Sequence, residues 1–197
     1  MNIREEIIRY VPVNEQEEKD QKELIRWIDS GLDLWTRDNG MAHWTASAWV
    51  TDPTRTKALM AWHNIYHSWS WLGGHADGDH DLLHVAMKEV KEESGVRHLK
   101  PLSNDIFSIE ILTVDGHVHH GTYVSSHLHL NVTYLLEADP DDPVFVKKDE
   151  NSAVGWFDLD EAVARSDEPW FRDHIYSKLN AKLRRFVREN RTGRGER

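Results

Sequence analysis

The period of apolar and polar positions changes repeatedly along the chain. Leu24, Trp27, Ile28 and Leu32 recur at helical spacing. Asn14 followed by Glu17 resembles a capping box, with asparagine in the Ser/Thr role. Residues 1–40 therefore read as a helical extension, punctuated by Gly31 and Gly40. It is expected to pack on its own domain, with a dimer contact or a lid as the alternative. From His43 the period becomes two: Ala46, Ala48 and Val50 alternate with Thr45, Ser47 and Trp49, a strand pattern. Asp52-Pro53-Thr54 reads as a turn and Lys57 to His63 as the second strand of a hairpin. Trp69 to Leu72 runs extended into Gly73-Gly74.

Residues 106–114 and 123–136 carry further strand patterns around a turn at Asp115-Gly116. In the later one His127, His129, Asn131 and Thr133 alternate with Leu128, Leu130, Val132 and Tyr134. Val154 to Phe157 is a short strand and Leu159 to Ala164 a short helix. Ser166 or Asp167 caps a last helix with Pro169 near its first turn, where proline is tolerated. Its apolar stripe is Ile175, Leu179, Leu183, Phe186 and Val187. Residues 191–197 read as a flexible tail. Mixed strands and helices in this order suggest a sheet covered by helices on both faces.

Between Gly74 and Gly95 lies a helical pattern with three carboxylates. Stepping about 100° per residue from Leu82 places Leu82, Leu83, Ala86, Met87 and Val90 in one apolar sector. His84, Lys88 and Lys91 fall on a solvated face. Glu89, Glu92 and Glu93 border the apolar sector, with Glu93 nearest the core. Asp79 is the expected N-cap, Asp81 complements the positive end of the helix dipole, and Gly95 ends the helix. Carboxylates crowded on one helical face repel unless neutralised, and a hard divalent cation with oxygen ligands does that. A wet acidic face is the plainer reading of the same spacing. The glycine pair permits close backbone approach, so that a carbonyl there can act as a further oxygen ligand.

Composition narrows the function classes. The chain has 197 residues and a formal net charge of −10, which disfavours binding to duplex nucleic acid. A bound cation reverses the local field, so a small phosphorylated substrate stays open. No cysteine is present, which excludes disulfides and thiolate chemistry. No apolar run is long enough to span a bilayer, and the first residues lack a secretory signal pattern. These features suggest a cytoplasmic protein without membrane contact.

The stretch from Gly74 to Val96 resembles a Nudix box, G-x5-E-x7-R-E-U-x-E-E-x-G-U, where U is apolar. Gly74, Glu89, Val90, Glu92, Glu93, Gly95 and Val96 match it position for position. His80 stands where the family has glutamate, and Lys88 where it has arginine. With the flanking strands and the Glu150–Phe157 run, the resemblance covers residues 43–165. It implies an α/β/α sandwich with a mixed β-sheet over residues 41–165, followed by a C-terminal helix of the same domain at 166–190.

It also implies a Mg2+-dependent hydrolase, with Mn2+ as the alternative ion, cleaving a diphosphate linkage in a nucleoside diphosphate linked to another group. Glu89, Glu92, Glu93 and the Gly74 carbonyl resemble the metal ligands. A carboxylate from a later loop, Glu150 ahead of Glu137, resembles an added catalytic group. Glu92, Glu93 and Glu150 form the catalytic set, with Glu93 or Glu150 orienting or deprotonating the attacking water. His80 and Lys88 take the positions that support the motif. Their departure from the pattern keeps a second function in view, a non-catalytic ligand-binding module on the same fold. The partner implied is a small nucleotide-derived substrate, and a homodimer through the N-terminal helix stays open as the alternative given above.

Histidines and tryptophans remain. His117, His119 and His120 sit across an expected hairpin from His127 and His129. They form a polar strand surface, contact substrate, or bind a transition metal, since imidazole suits zinc, copper or nickel. His75 is a further cleft candidate. Trp62, Trp69 and Trp71 flank the glycine pair and are core or stacking residues, Trp71 being the substrate-binding candidate among them.

Overall fold

A computed structural model describes residues 2–119, 121–146 and 151–192. The chain divides into two contact units, Met1–Ala48 with Gly73–Glu89 and Pro101–Leu135, and Trp49–Leu72 with Val90–Lys100 and Leu136–Arg197. Strand β1 (Ala42–Thr51) and, later in the chain, one helix and one long strand run through both.

The first unit opens with α1 (Ile3–Arg9), capped by Asn2, and α2 (Glu15–Asp29), capped by Asn14. Sequence periodicity does not separate α1 from the extension. It is tied to α2 by the bidentate Arg4–Asp29 pair and by Gln21, which donates to the carbonyls of Ile7 and Tyr10. Asn14 Oδ1 accepts the Glu17 N–H, as expected of the box, but Glu17 Oε2 accepts from Val13 rather than Asn14. Leu24 of the apolar stripe is fully buried, whereas Leu32 lies beyond the helix and is exposed. All ten residues of β1 are buried, so the strand is covered on both faces and not on one. Its polar members Thr45 and Ser47 tolerate this because both hydroxyls donate to Asn131 Oδ1, at 3.0 and 2.9 Å.

In the second unit the Asp52 turn leads β1 into β2 (Lys57–His63), with Thr51 opposite Ala58. Strand β3 (Ser68–Ser70) pairs with the end of β2, and β4 (Leu72–His75) follows it. Helix α3 (Leu82–Ser94) and β5 (Leu99–Pro101) have residues in both units, and β6 (Ser108–Val114) belongs to the first. The expected strand over 123–136 is two elements. Strand β8 (Thr122–Val124) closes a separate hairpin with β7 (His117–His119), and β9 (His127–Ala138) pairs antiparallel with β6 from Val114↔His127 to Ser108↔Thr133. The break falls at Ser125-Ser126, where the Ser126 hydroxyl accepts the Gly116 N–H.

Strand β10 (Asn151–Asp158) pairs antiparallel with β2 and runs directly into α4 (Leu159–Ala164). The last helix contains a π-helical stretch, Phe171–Tyr176, before α5 (Ser177–Thr192). Apolar spacing does not encode that stretch, although Ile175, Leu179 and Leu183 are buried as expected. The main strands hydrogen-bond in the order β10-β2-β1-β9-β5, with β3 on β2, β4 on β1 and β6 on β9. This mixed sheet with its helices is the expected α/β class. No helix among the described residues is long and apolar enough to cross a membrane.

Candidate active site

Helix α3 positions the carboxylates. Its cap is Asp81, whose Oδ1 accepts the His84 N–H at 2.9 Å. The expected cap, Asp79, lies one step outside: it accepts from the Asp81 N–H and from His84 Nδ1, because the helix begins only at Leu82. Gly95 ends the helix with φ +75° and donates to the Lys91 carbonyl, the left-handed C-terminal stop that favours glycine. Leu82, Ala86 and Val90 are buried, His84, Lys88 and Lys91 exposed. Of the glutamates, Glu93 is 5% exposed, Glu89 half-buried and Glu92 exposed, the order the helical angles predict.

In the first unit, Gly74 and Glu89 are in close approach. A Cβ on Gly74 would lie 2.6 Å from Glu89 Cδ and 2.9 Å from Oε2, so only glycine leaves room for the carboxylate against the β4 backbone. Lys88 Nζ donates to Glu89 Oε1 at 3.1 Å, keeping one positive partner on the helix where the motif has arginine. His80 does something else. Its ring stacks on Trp35 at 4.1 Å with planes 17° apart, and no hydrogen bond from it to a helix carboxylate is found among the described residues.

In the second unit, Asn151 Nδ2 donates to Glu93 Oε1 at 3.3 Å, and Asn151 Oδ1 is buried with no hydrogen-bond partner among the described residues. A buried, unsatisfied oxygen beside a buried carboxylate marks a place suited to a further polar ligand. Glu150 lies outside the described residues. Glu137 pairs with Lys100 at 2.8 Å and with Arg55. Burial opposes its ionisation, but the bonds and charges of Lys100 and Arg55 outweigh that and hold the carboxyl below its usual range.

The histidines separate. His75, His127 and His129 come together, and His43 joins them with ring centroids 4.9–5.2 Å from each. Burial and the neighbouring imidazoles push His129 down to about 2, and burial with the Arg37 charge pushes His75 down to about 4. His43 is also lowered, chiefly by burial. Burial thus favours the neutral form of His43, His75 and His129. Sequence reasoning missed His43, since nothing in its spacing links it to residues so distant in the chain. His117 stands at the margin, 6.3 Å from His127. The side chain of His119 and all of His120 lie outside the described residues. The tryptophans are packed: Trp62 on Trp69, Trp69 on Phe157, and Trp71 edge-on to Tyr176 at 5.6 Å and to Phe171.

Solved structures with this arrangement of strands and helices define the class. A hydrolase of the NUDIX family from Clostridium perfringens is 17% identical, covering 73% of this chain and 97% of its own, with a TM-score of 0.51. The C. elegans Ap4A hydrolase binary complex is 19% identical over 74% and 98%, with a TM-score of 0.50. The E. coli dihydroneopterin triphosphate pyrophosphohydrolase is 16% identical over 68% and 92%, with a TM-score of 0.51. At these identities the likeness is one of fold, an α/β fold of the Nudix type. A family model described as the NUDIX domain matches residues 41–179, and the chain belongs to the Nudix hydrolase family. No curated protein matches the sequence.

Proposed function

We propose that the protein is a Mg2+-dependent hydrolase cleaving a diphosphate linkage in a small nucleotide-derived substrate. The observation that carries this reading is the run Glu89-Val90-Lys91-Glu92-Glu93 on a capped helix inside the matched domain, with Glu89 packed against Gly74. The donors are all oxygens, three carboxylates and a backbone carbonyl, a set that suits Mg2+ or Mn2+ and not a soft ion. A divalent cation bound there supplies neutralisation of phosphate charge and activation of water. Glu89, Glu92, Glu93 and the Gly74 carbonyl hold it, and Lys88 steadies Glu89. Glu93, oriented by Asn151, or Glu150 receives the proton of the attacking water. His75, His127, His129 and Trp71 are the substrate contacts, Trp71 being half-buried with its ring edge-on to Tyr176. Two of the similar structures are named for acting on Ap4A and on dihydroneopterin triphosphate, which supports a phosphorylated, nucleotide-like substrate here. A chain without cysteine suits the cytoplasm.

The second reading is a ligand-binding module without turnover. It draws on His80, which stacks on Trp35 where the family pattern has a carboxylate. Phosphate release from a panel of nucleotide and non-nucleotide diphosphates separates the two. The hydrolase reading expects Mg2+-dependent turnover, reduced more than ~100-fold in both Glu92→Gln and Glu93→Gln, since even outer partners of metal ligands are worth about 10–100-fold. Binding of Mg2+ and a diphosphate without turnover would establish the module instead. Unchanged rates in both variants would remove the carboxylates from the mechanism.

A further inference from the structure

The cation site proposed on α3 uses oxygen donors and takes up none of four imidazoles on three neighbouring strands, three of which are proposed above as substrate contacts. His43 is on β1, His75 ends β4, and His127 and His129 begin β9; β4 and β9 both pair with β1. One ring nitrogen from each of His43, His75 and His129 lies within 4.8 Å of the others. His129 Nε2 is 3.2 Å from His75 Nε2 and 3.2 Å from His127 Nε2. Two nitrogens sharing a tetrahedral ion at Zn–N distances of about 2.0–2.1 Å stand roughly 3.3–3.4 Å apart. The closest separations here are already of that size.

Backbone carbonyls fix which nitrogens are bare. A carbonyl oxygen only accepts, so His43 Nδ1 donates to the Asn39 carbonyl at 3.2 Å and His127 Nδ1 to the Ser125 carbonyl at 2.9 Å. An imidazole whose one N–H sits on Nδ1 leaves Nε2 as a lone pair, as at His43. His43 is 4% exposed, and its Nε2 is buried without a hydrogen-bond partner among the described residues. Hydrogen bonds among the rings do not resolve this: His129 Nε2 faces two nitrogens at once, and one N–H serves only one of them. Inward-facing lone pairs with the outer N–H held by a carbonyl are the arrangement of metal-ligating histidines.

We propose that His43, His75 and His129 bind a transition-metal dication of the zinc class, with three imidazole ligands, an open fourth position, and His127 beside His129. Imidazole favours zinc, copper or nickel over magnesium, so this ion differs in kind from the one held by the carboxylates of α3. A site with three protein ligands and one open position is of the type that admits water or an anionic group.

The test uses the full chain, stripped of metal and held in saturating Mg2+, titrated with Zn2+ by calorimetry. One tight Zn2+ per chain is expected, weakened more than ~100-fold in His75→Gln and His129→Gln and changed less than ~2-fold in Glu92→Gln. X-ray absorption of the wild-type chain carrying one equivalent of Zn2+ reads the ligands without any substitution. It should show nitrogen neighbours at about 2.0–2.1 Å with scattering from three imidazoles. This second measurement decides the matter if the histidine variants fail to fold. An oxygen-dominated shell, absence of stoichiometric uptake, or Zn2+ binding lost in Glu92→Gln but kept in folded histidine variants would overturn the proposal.

Discussion

At the scale of single residues, Gly74 is a tightly constrained position of the site. A methyl group there meets the Glu89 carboxyl at 2.6–2.9 Å, and the carboxylate must move to admit it. Displacement of a catalytic group by about 1 Å can cost ~100-fold in rate. Gly74→Ala is therefore expected to lower Mg2+-dependent turnover by ~10–100-fold with a smaller effect on stability. Steady-state kinetics beside a thermal melt check this, and equal loss in both would show a folding defect instead.

Asp52 supports a different prediction. Its buried carboxylate accepts the N–H groups of Thr54, Thr56 and Lys57 at 2.8–3.0 Å and the Thr54 hydroxyl. Burial works against ionisation, yet these donors outweigh it and hold the carboxyl below its usual value. A depressed carboxyl contributes stability that is present above the unfolded value of about 3.9 and lost as pH falls through the folded one. Asp52→Asn should cost about 1–3 kcal/mol at neutral pH, and the difference from wild type should shrink below about pH 4. Urea melts across pH measure it; a difference that grows in acid would refute the assignment.

At the scale of elements, α2 is fastened to β6 through a polar contact. Glu17 is fully buried; one oxygen accepts from Val13 N–H and the other from the Ser108 hydroxyl, both at 2.9 Å. The Ser108 hydroxyl also contacts Glu110, which in turn accepts from Asn131 and Thr133. Removing Glu17 strands the buried Ser108 hydroxyl and the part-buried Val13 N–H. Glu17→Ala should destabilise by about 2–4 kcal/mol, from two lost hydrogen bonds to a charged group at about 1.5–3 kcal/mol each and partial relaxation. Chemical denaturation tests it, and a loss near zero would mean that α2 docks through Leu24 and its apolar neighbours alone. The helical angles of α3 were readable in the sequence and agree with the burial of Glu93, Glu89 and Glu92. The asparagine holding Glu93 was not, because Asn151 comes from a strand far along the chain.

At the scale of the molecule, a net charge of −10 with three glutamates on one helix makes cation binding a stabilising event. A ligand bound only by the folded state adds about 2.7 kcal/mol at one hundred times its Kd. For a chain of this size each kcal/mol raises Tm by roughly 2–4 °C. Saturating Mg2+ should thus raise Tm by ~5–10 °C, reversed by EDTA and greatly reduced in Glu92→Gln. Scanning fluorimetry reads it, and an equal shift in the variant would place the cation elsewhere.

What the sequence determined by itself is local. The period of apolar positions set the helices and strands, and the fixed spacing from Gly74 to Val96 identified the family, because both signals lie within one element or one turn of its neighbour. Helix start points moved by a residue or two, as with Asp81 in place of Asp79, because capping depends on hydrogen bonds that several nearby aspartates compete for. Only the tertiary structure decided that His43, His75 and His129 share one place, because the order of strands around β1 brings them there and no sequence period spans that distance. It also decided that His80 stacks on Trp35, and that Glu137 is spent on Arg55 and Lys100, since each depends on a partner supplied by a different segment.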